Sequence, residues 1–247
     1  MALRDFLVSM FPYAKTHYSI TNLNHIKSIM YADADKGTVY QGSQAMHYNF
    51  SKRAPYTVAY DWLSREIHLY LTNTTMETKT SFDNWHENTC RGFIAQCSTF
   101  HCTITYGLAQ KFINLALKYC YCFNDADKAE ALNKFKFAHI PLDSFTFCPS
   151  TTSKTSAAYR KYTRTSPLGL SLPFYTATVN PMISISSLPA WSKLSDVLYK
   201  NIQDDVRSYF VAHPITYSAV SALDVHGLAR CSSSTTLTPF QCEFLLW

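Results

Sequence analysis

The sequence predicts a mainly α-helical chain, and three observations carry that reading. From Leu108 to about Cys122, the residues Leu108, Phe112, Leu115, Ala116 and Tyr119 recur at helical spacing, with Ile113, Leu117 and Cys120 covering most of the remaining circumference. The same period returns at Val58, Trp62, Ile67, Leu69 and Tyr70, and in a long amphipathic stretch from Ala190 to Phe210. With 47% hydrophobic and 15% aromatic residues in 247, the chain has material for a substantial core, either one large domain or two small lobes around a cleft.

In chain order, Leu3 to Met10 reads as a short helix stopped before Pro12, and Ile20 to Ala32 as a helix with Leu23, Ile26, Ile29 and Met30 on one face. Asp33 to Phe50 reads as a loop or hairpin, and Lys52-Arg53-Ala54-Pro55 as a basic turn. Thr57 to Leu71 is a helix by spacing, although its Tyr and Thr content leaves a strand open at its end. Ser81 is placed to cap a helix running to about Phe100. Thr105-Tyr106-Gly107 then forms a glycine turn before the helix at 108–122. A short helix over about Asp127 to Phe137 ends before Pro141. Pro181 to Pro189 is extended. The helix from Ala190 turns Trp191, Leu194, Val197, Leu198, Ile202, Val206 and Phe210 inward, and Asp196, Asp204 and Asp205 toward solvent. Pro214 breaks the chain, Ser232 to Thr236 is a turn, and the apolar tail from Leu237 to Trp247 is expected to dock.

Formal charge is +5 with a pI of about 8.7, compatible with nucleic acid without demanding it. No apolar run approaches a membrane span, and the N-terminus lacks the charged-then-apolar pattern of a secretory signal, so a cytoplasmic protein is expected. The proportion of charged residues, 16%, beside eight cysteines is unlike a hyperthermophile protein.

Two short motifs carry the chemistry. Lys111, Asn114 and Lys118 fall on one line of an otherwise apolar helix. One reading is a solvated stripe, with the lysines laid over apolar neighbours. The other sets Lys111 at the edge of a cleft, where partial desolvation and neighbouring cations make its amine a nucleophile. The second motif is His139-Ile140-Pro141-Leu142-Asp143-Ser144, which leaves Asp143 just past a helix-breaking proline in an apolar frame.

Together these residues resemble the catalytic core of the helix-hairpin-helix DNA glycosylases, and are most similar to the archaeal 8-oxoguanine glycosylase branch. The matching residues are the Gly107 turn, Lys111, Lys118-Tyr119 and Ile140-Pro141-Leu142-Asp143, with a 32-residue separation from the lysine to the acid. The likeness spans about 40 of the 247 residues. Gly107 stands alone where the usual hairpin has Gly-x-Gly, and no cysteine pattern for an iron–sulfur cluster is present.

The resemblance implies a two-lobed helical bundle with a DNA-binding cleft, forming a single glycosylase-like domain over 1–247. It implies excision of a flipped-out base, Lys111 as nucleophile and Asp143 as the electrostatic and base residue, no cofactor, and double-stranded DNA with a modified base as the partner of a monomer. Tyr106, Trp85, His139 and Trp191 are candidates for the pocket or wedge, and Gln110 and Asn114 for the base edge. Gly107, Lys118, Lys154, Arg160, Lys161 and Arg164 are candidates for the DNA backbone. The four last-named cations lie in a stretch from Ser144 to Ser195 without a single carboxylate, interleaved with Tyr159, Tyr162 and hydroxyls, which suits phosphate contact and base stacking. The alternative is a solvated Ser/Thr-rich loop. Within the family, the base expected is 8-oxoguanine or a bulky modified base of phage DNA such as glucosylated hydroxymethylcytosine, removed as antiviral defence.

Three other readings compete. His86, Cys90, Cys97 and His101 pair at one-turn spacing and invite a zinc site, though the pattern matches no common knuckle or ribbon. His17-Tyr18-Ser19 and His101-Cys102-Thr103 fit the two tripeptides of a 2H-type phosphoesterase, a fold that carries both on strands. The third is a helical DNA- or protein-binding module without catalysis.

Overall fold

Helix α1 spans Tyr56–Thr72, α2 Lys79–Ser98 and α3 Tyr106–Phe123, and these three pack against one another. A 3-10 turn at Trp191–Lys193 lies on α3, and α4, Asp196–Ala212, packs on both α3 and the short α5, Pro239–Glu243. The computed structural model describes residues 22–28, 56–73, 78–123, 134–142, 189, 191–216 and 236–243. Among them all repeating structure is helical, and the one β feature is an isolated bridge between Thr216 and Thr236. The described part of the chain is therefore mainly helical, as the spacing predicts. No helix among the described residues is long and apolar enough to cross a membrane.

Four helix boundaries have a local cause. Thr78 caps α2 in a reciprocal box: its hydroxyl accepts from the Ser81 N–H, and Ser81 Oγ accepts from the Thr78 N–H. Ser81 is thus the third residue of the helix rather than its cap. The chain leaves α2 through His101, whose φ of 59° lies in the left-handed region, while the Cys102 N–H returns to the Cys97 carbonyl at 3.1 Å. His101 closes a helix, and no strand carries it.

Thr105 caps α3, its hydroxyl accepting from the Leu108 N–H at 3.2 Å and donating to the Ser192 carbonyl. The expected glycine turn is instead a capped helix start, with Gly107 already in the first turn. A Cβ at Gly107 would lie 2.1 Å from the Trp191 carbonyl oxygen, so the bare glycine is what lets the 3-10 turn seat on the helix.

The expected single helix from Ala190 is split. Ser195 restarts the chain as the cap of α4, its side chain accepting from the Leu198 N–H. Trp191, Leu194, Ile202, Val206 and Phe210 are buried as expected, and Tyr199 and Gln203 join them on the inward face. Val197, expected inward, is 65% exposed. Lys134 is helical, 135–137 form a turn and 138–142 run without regular structure across α3, so the helix ends before the expected Phe137 and well ahead of Pro141. Leu237, Phe240 and Cys242 are buried, so the described part of the tail docks, with Phe240 stacked 6.0 Å from Phe135. The readings at 3–10, 33–55, 127–133, 151–167, 181–188, 232–235 and 244–247 lie outside the described residues.

Candidate functional site

The site is built on the first three turns of α3. Lys111, Asn114 and Lys118 are all buried, so the solvated-stripe reading fails. Lys111 is 6% exposed and its Nζ stands 4.7 Å from the centre of the Trp191 indole, a cation over an aromatic face. The turn that supplies Trp191 is the one seated on Gly107 and held by Thr105.

Gln110, immediately before Lys111, is fully buried and every polar valence of its amide used here is internal. Its Nε2 donates to the carbonyls of Gly107 at 2.9 Å and Leu142 at 2.7 Å, and its Oε1 accepts from the Leu142 N–H at 3.2 Å and from Asn114 Nδ2 at 3.0 Å. One side chain therefore pairs both backbone groups of Leu142, as a neighbouring strand would. The Ile140 carbonyl is held in the same way from two helices, by Gln203 of α4 at 2.8 Å and Asn114 of α3 at 3.3 Å.

A buried polar chain continues from Asn114, and its direction follows from its end. Asp83 can only accept, so His139 presents its proton on Nε2, 3.1 Å from Asp83 Oδ1. Its Nδ1 then accepts from the Tyr199 hydroxyl at 2.9 Å, and the Tyr199 oxygen accepts from Asn114 Nδ2 at 2.8 Å. Asn114 Oδ1 accepts from His86 Nε2 at 3.0 Å, and the Cys90 thiol lies 3.7 Å from His86 Nδ1. Arg207 closes the other end, donating to both Asp83 oxygens at 3.0 and 2.8 Å and to the Phe137 carbonyl at 2.8 Å.

Electrostatics agree with that assignment. Burial pushes His139 down to about 4, against the opposing pull of its bond to Asp83. Burial, then the neighbouring His139, holds His86 well below its ordinary value, so both imidazoles are neutral. Burial works to raise the Asp83 carboxyl, but hydrogen bonds from His139 and Arg207 outweigh it and hold the group well below the usual carboxylate range. Burial raises the Cys90 thiol strongly, and the sulfur is fully enclosed. The Cys90–His86–Asn114 arrangement therefore lacks the thiolate and the access that nucleophilic catalysis requires.

The sequence candidates divide clearly. Lys111, Gln110, Asn114, His139, Tyr106 and Trp191 are gathered around α3, Tyr106 tilting 5.5 Å from Tyr199. Trp85 is a core residue stacked on Tyr70 at 4.2 Å. Gln110 and Asn114 are engaged with the protein's own backbone and side chains rather than lying open as base-edge contacts. Gly107 is covered by the Trp191 turn, and Lys118 is 3% exposed, so neither presents itself to a phosphate here. Asp143, Lys154, Arg160, Lys161, Arg164 and His17 lie outside the described residues. No group of metal-binding side chains occurs among the described residues: His86, Cys90 and Cys97 are buried, while His101 is exposed.

Asp83, Tyr199, Gln203 and Arg207 were invisible to sequence reasoning as site residues. A tyrosine and a glutamine on the apolar face of α4 were the available signal. The chain matches no protein-family model, no curated protein and no solved structure.

Proposed function

We propose that this chain is a DNA glycosylase of the helix-hairpin-helix kind, two-lobed around a DNA-binding cleft, that excises a modified base with Lys111 and Asp143 as its catalytic pair. The observation that supports this reading most is the Gln110 clamp. It fastens Leu142, the residue before the acid, to the residue before the amine. A second support is the aromatic face of Trp191 beside Lys111, the surface on which a flipped base would stack. The carboxylate-free basic stretch that follows Asp143 in sequence supplies cations for the phosphate backbone.

In this mechanism the Lys111 ammonium gives a proton to Asp143. The free amine attacks C1′, forming a C–N bond as the N-glycosidic bond breaks and its electron pair leaves with the base, which takes up a proton. Asp143 passes its proton to the departing base, and the carboxylate it regains stabilises the cation-like sugar. Collapse of the adduct gives an imine that opens the path to strand cleavage, whereas attack by water leaves an intact abasic site. Because Trp191 closes over Lys111, the turn at 191–193 has to move for a base to enter.

The test is base release from chemically distinct genomic DNAs, 8-oxoguanine-containing and glucosylated hydroxymethylcytosine DNA among them, read by mass spectrometry. Wild type is expected to free one modified base. Asp143→Asn is expected to lose the activity by about 10²-fold or more. Silence of wild type on every DNA, or full activity of the variant, ends the proposal.

One observation favours a second reading, a helical binding module without catalysis. Lys111, Gln110, Asn114 and Lys118 are all buried, and the two amides are spent on internal hydrogen bonds. In that reading the polar stripe is a structural seam. It predicts DNA or protein binding with no base released.

A further inference from the structure

The exit from α2 brings two thiols together. The Cys102 N–H returns to the Cys97 carbonyl and the His101 N–H to the Ser98 carbonyl, each at 3.1 Å. With His101 in the left-handed region this is a Schellman closure, whose first and last side chains characteristically touch. The usual pair at those two places is hydrophobic, and here both are cysteines carrying thiols. At standard bond lengths a 3.1 Å N···O contact keeps the two α-carbons within about 7 Å, the limit for a disulfide without backbone movement. Both side chains turn into the core, Cys97 at 0% and Cys102 at 3% exposure, while Ser98, Thr99 and His101 between them face solvent. Burial first, and then the neighbouring Cys102 sulfur, raises the Cys97 thiol above its ordinary value.

We propose that Cys97 and Cys102 are a redox-sensitive dithiol that hydrogen peroxide converts to a disulfide, locking the junction between α2 and α3. The proposal goes beyond the glycosylase reading and does not depend on it. The junction is short: Cys102 stands three residues before Thr105, which caps α3 and holds the Ser192 carbonyl. Two backbone hydrogen bonds keep the wrap closed, and a helix end is where local opening costs least, so opening there uncovers both sulfurs to a small oxidant. Cys102, the less enclosed and without that penalty on record at Cys97, reacts first. Its thiol gives up a proton and attacks one peroxide oxygen; the O–O bond breaks, leaving a sulfenic acid and a hydroxide that takes the proton as water. The Cys97 sulfur then attacks the sulfenic sulfur. The S–S bond forms, the S–O bond breaks, and hydroxide leaves with the Cys97 proton as a second water. Two thiols lose two hydrogens and two electrons, and one peroxide becomes two waters.

The test is peroxide treatment of the folded full chain, followed by alkylation and peptide mass spectrometry. The tryptic peptide from Gly92 to Lys111 holds both sulfurs and is expected to be lighter by two hydrogens. Chymotryptic cleavage after Phe100 should release its halves only after reduction, while Cys90, whose sulfur lies against His86, stays alkylatable. The same treatment of the urea-unfolded chain should scatter the pairing among the eight cysteines. Hydrogen exchange at the Cys102 amide should slow by about 10-fold or more in the oxidised protein, because the bridge closes the wrap. In Cys97→Ser, Cys102 should stop at the sulfenic acid and take up dimedone. A wild-type pair that stays fully alkylatable under peroxide that oxidises glutathione overturns the proposal. So does a passage to sulfinic acid without a bridge, or a folded-state pairing no more selective than the unfolded one. A bridge that forms with the Cys102 amide exchanging as before overturns the lock.

Discussion

The two ends of the α2–α4 seam use the same kinds of side chain and reach different ends. At the inner end, Lys79, Asp83, Asp204 and Arg207 form a network in which Arg207 and Asp83 are only 16% and 19% exposed. At the outer end, Glu87 pairs with Arg91 at 3.0 Å and Lys200 at 2.7 Å, and Arg91 also pairs with Asp196. The cations of the outer pairs, Arg91 and Lys200, are about half exposed, so Coulomb attraction is screened there and side-chain entropy offsets it. The inner carboxylate is tied through His139 and Tyr199 to the bend at Ile140. Charge count therefore says little about weight along this seam. Connection to a buried chain decides it.

Acidification should separate the two ends most. Both histidines have folded pKa values below the ordinary 6.5, so the unfolded chain binds more protons as pH falls. Stability is then full above about 6.5 and declines toward 4, by about 3 kcal/mol from His139 alone, with His86 adding in the same direction. Glu87, whose pKa is lowered first by Lys200 and then by Arg91, contributes stability that is present above the ordinary glutamate value and lost only as pH falls below it. Urea midpoints measured between pH 7 and 4 should fall steadily, and a flat profile would contradict the neutral buried pair.

Arg207→Met is the next largest effect. It leaves Asp83 with Lys79 and His139 alone and frees the Phe137 carbonyl, at a cost of about 2 kcal/mol, seen as a lower urea midpoint with an unchanged slope. Lys200→Gln at the outer end is the smallest. It should cost no more than about 0.5 kcal/mol and vanish at high salt. If the two substitutions prove equal, the contrast drawn along the seam is wrong.

How much of this was legible follows from what each signal depends on. The helices at 56–72, 79–98 and 106–123 depend on local spacing, and the sequence places them within about two residues. The burial of Lys111 and Asn114 was an open alternative, because a lysine on an apolar helix can lie either way until its neighbours are known. Along α4 the spacing places Ile202, Val206 and Phe210 inward correctly, but it misses the break at Ser195, puts Val197 on the wrong side and omits Tyr199 and Gln203. Asp83, Tyr199 and Arg207 find their partners 56 to 124 positions away, and no local pattern announces that. Gln110 and Asn114, singled out by their places beside Lys111, hold the bend at Ile140 and Leu142.

Leu142 and the Trp191 turn are both fastened to the opening of α3, one through Gln110 and the other through Gly107 and Thr105. Two segments far apart in the sequence thus share one helical turn as their seat. A substitution that disturbs the opening of α3 loosens both together, so its cost is not the sum of two independent losses.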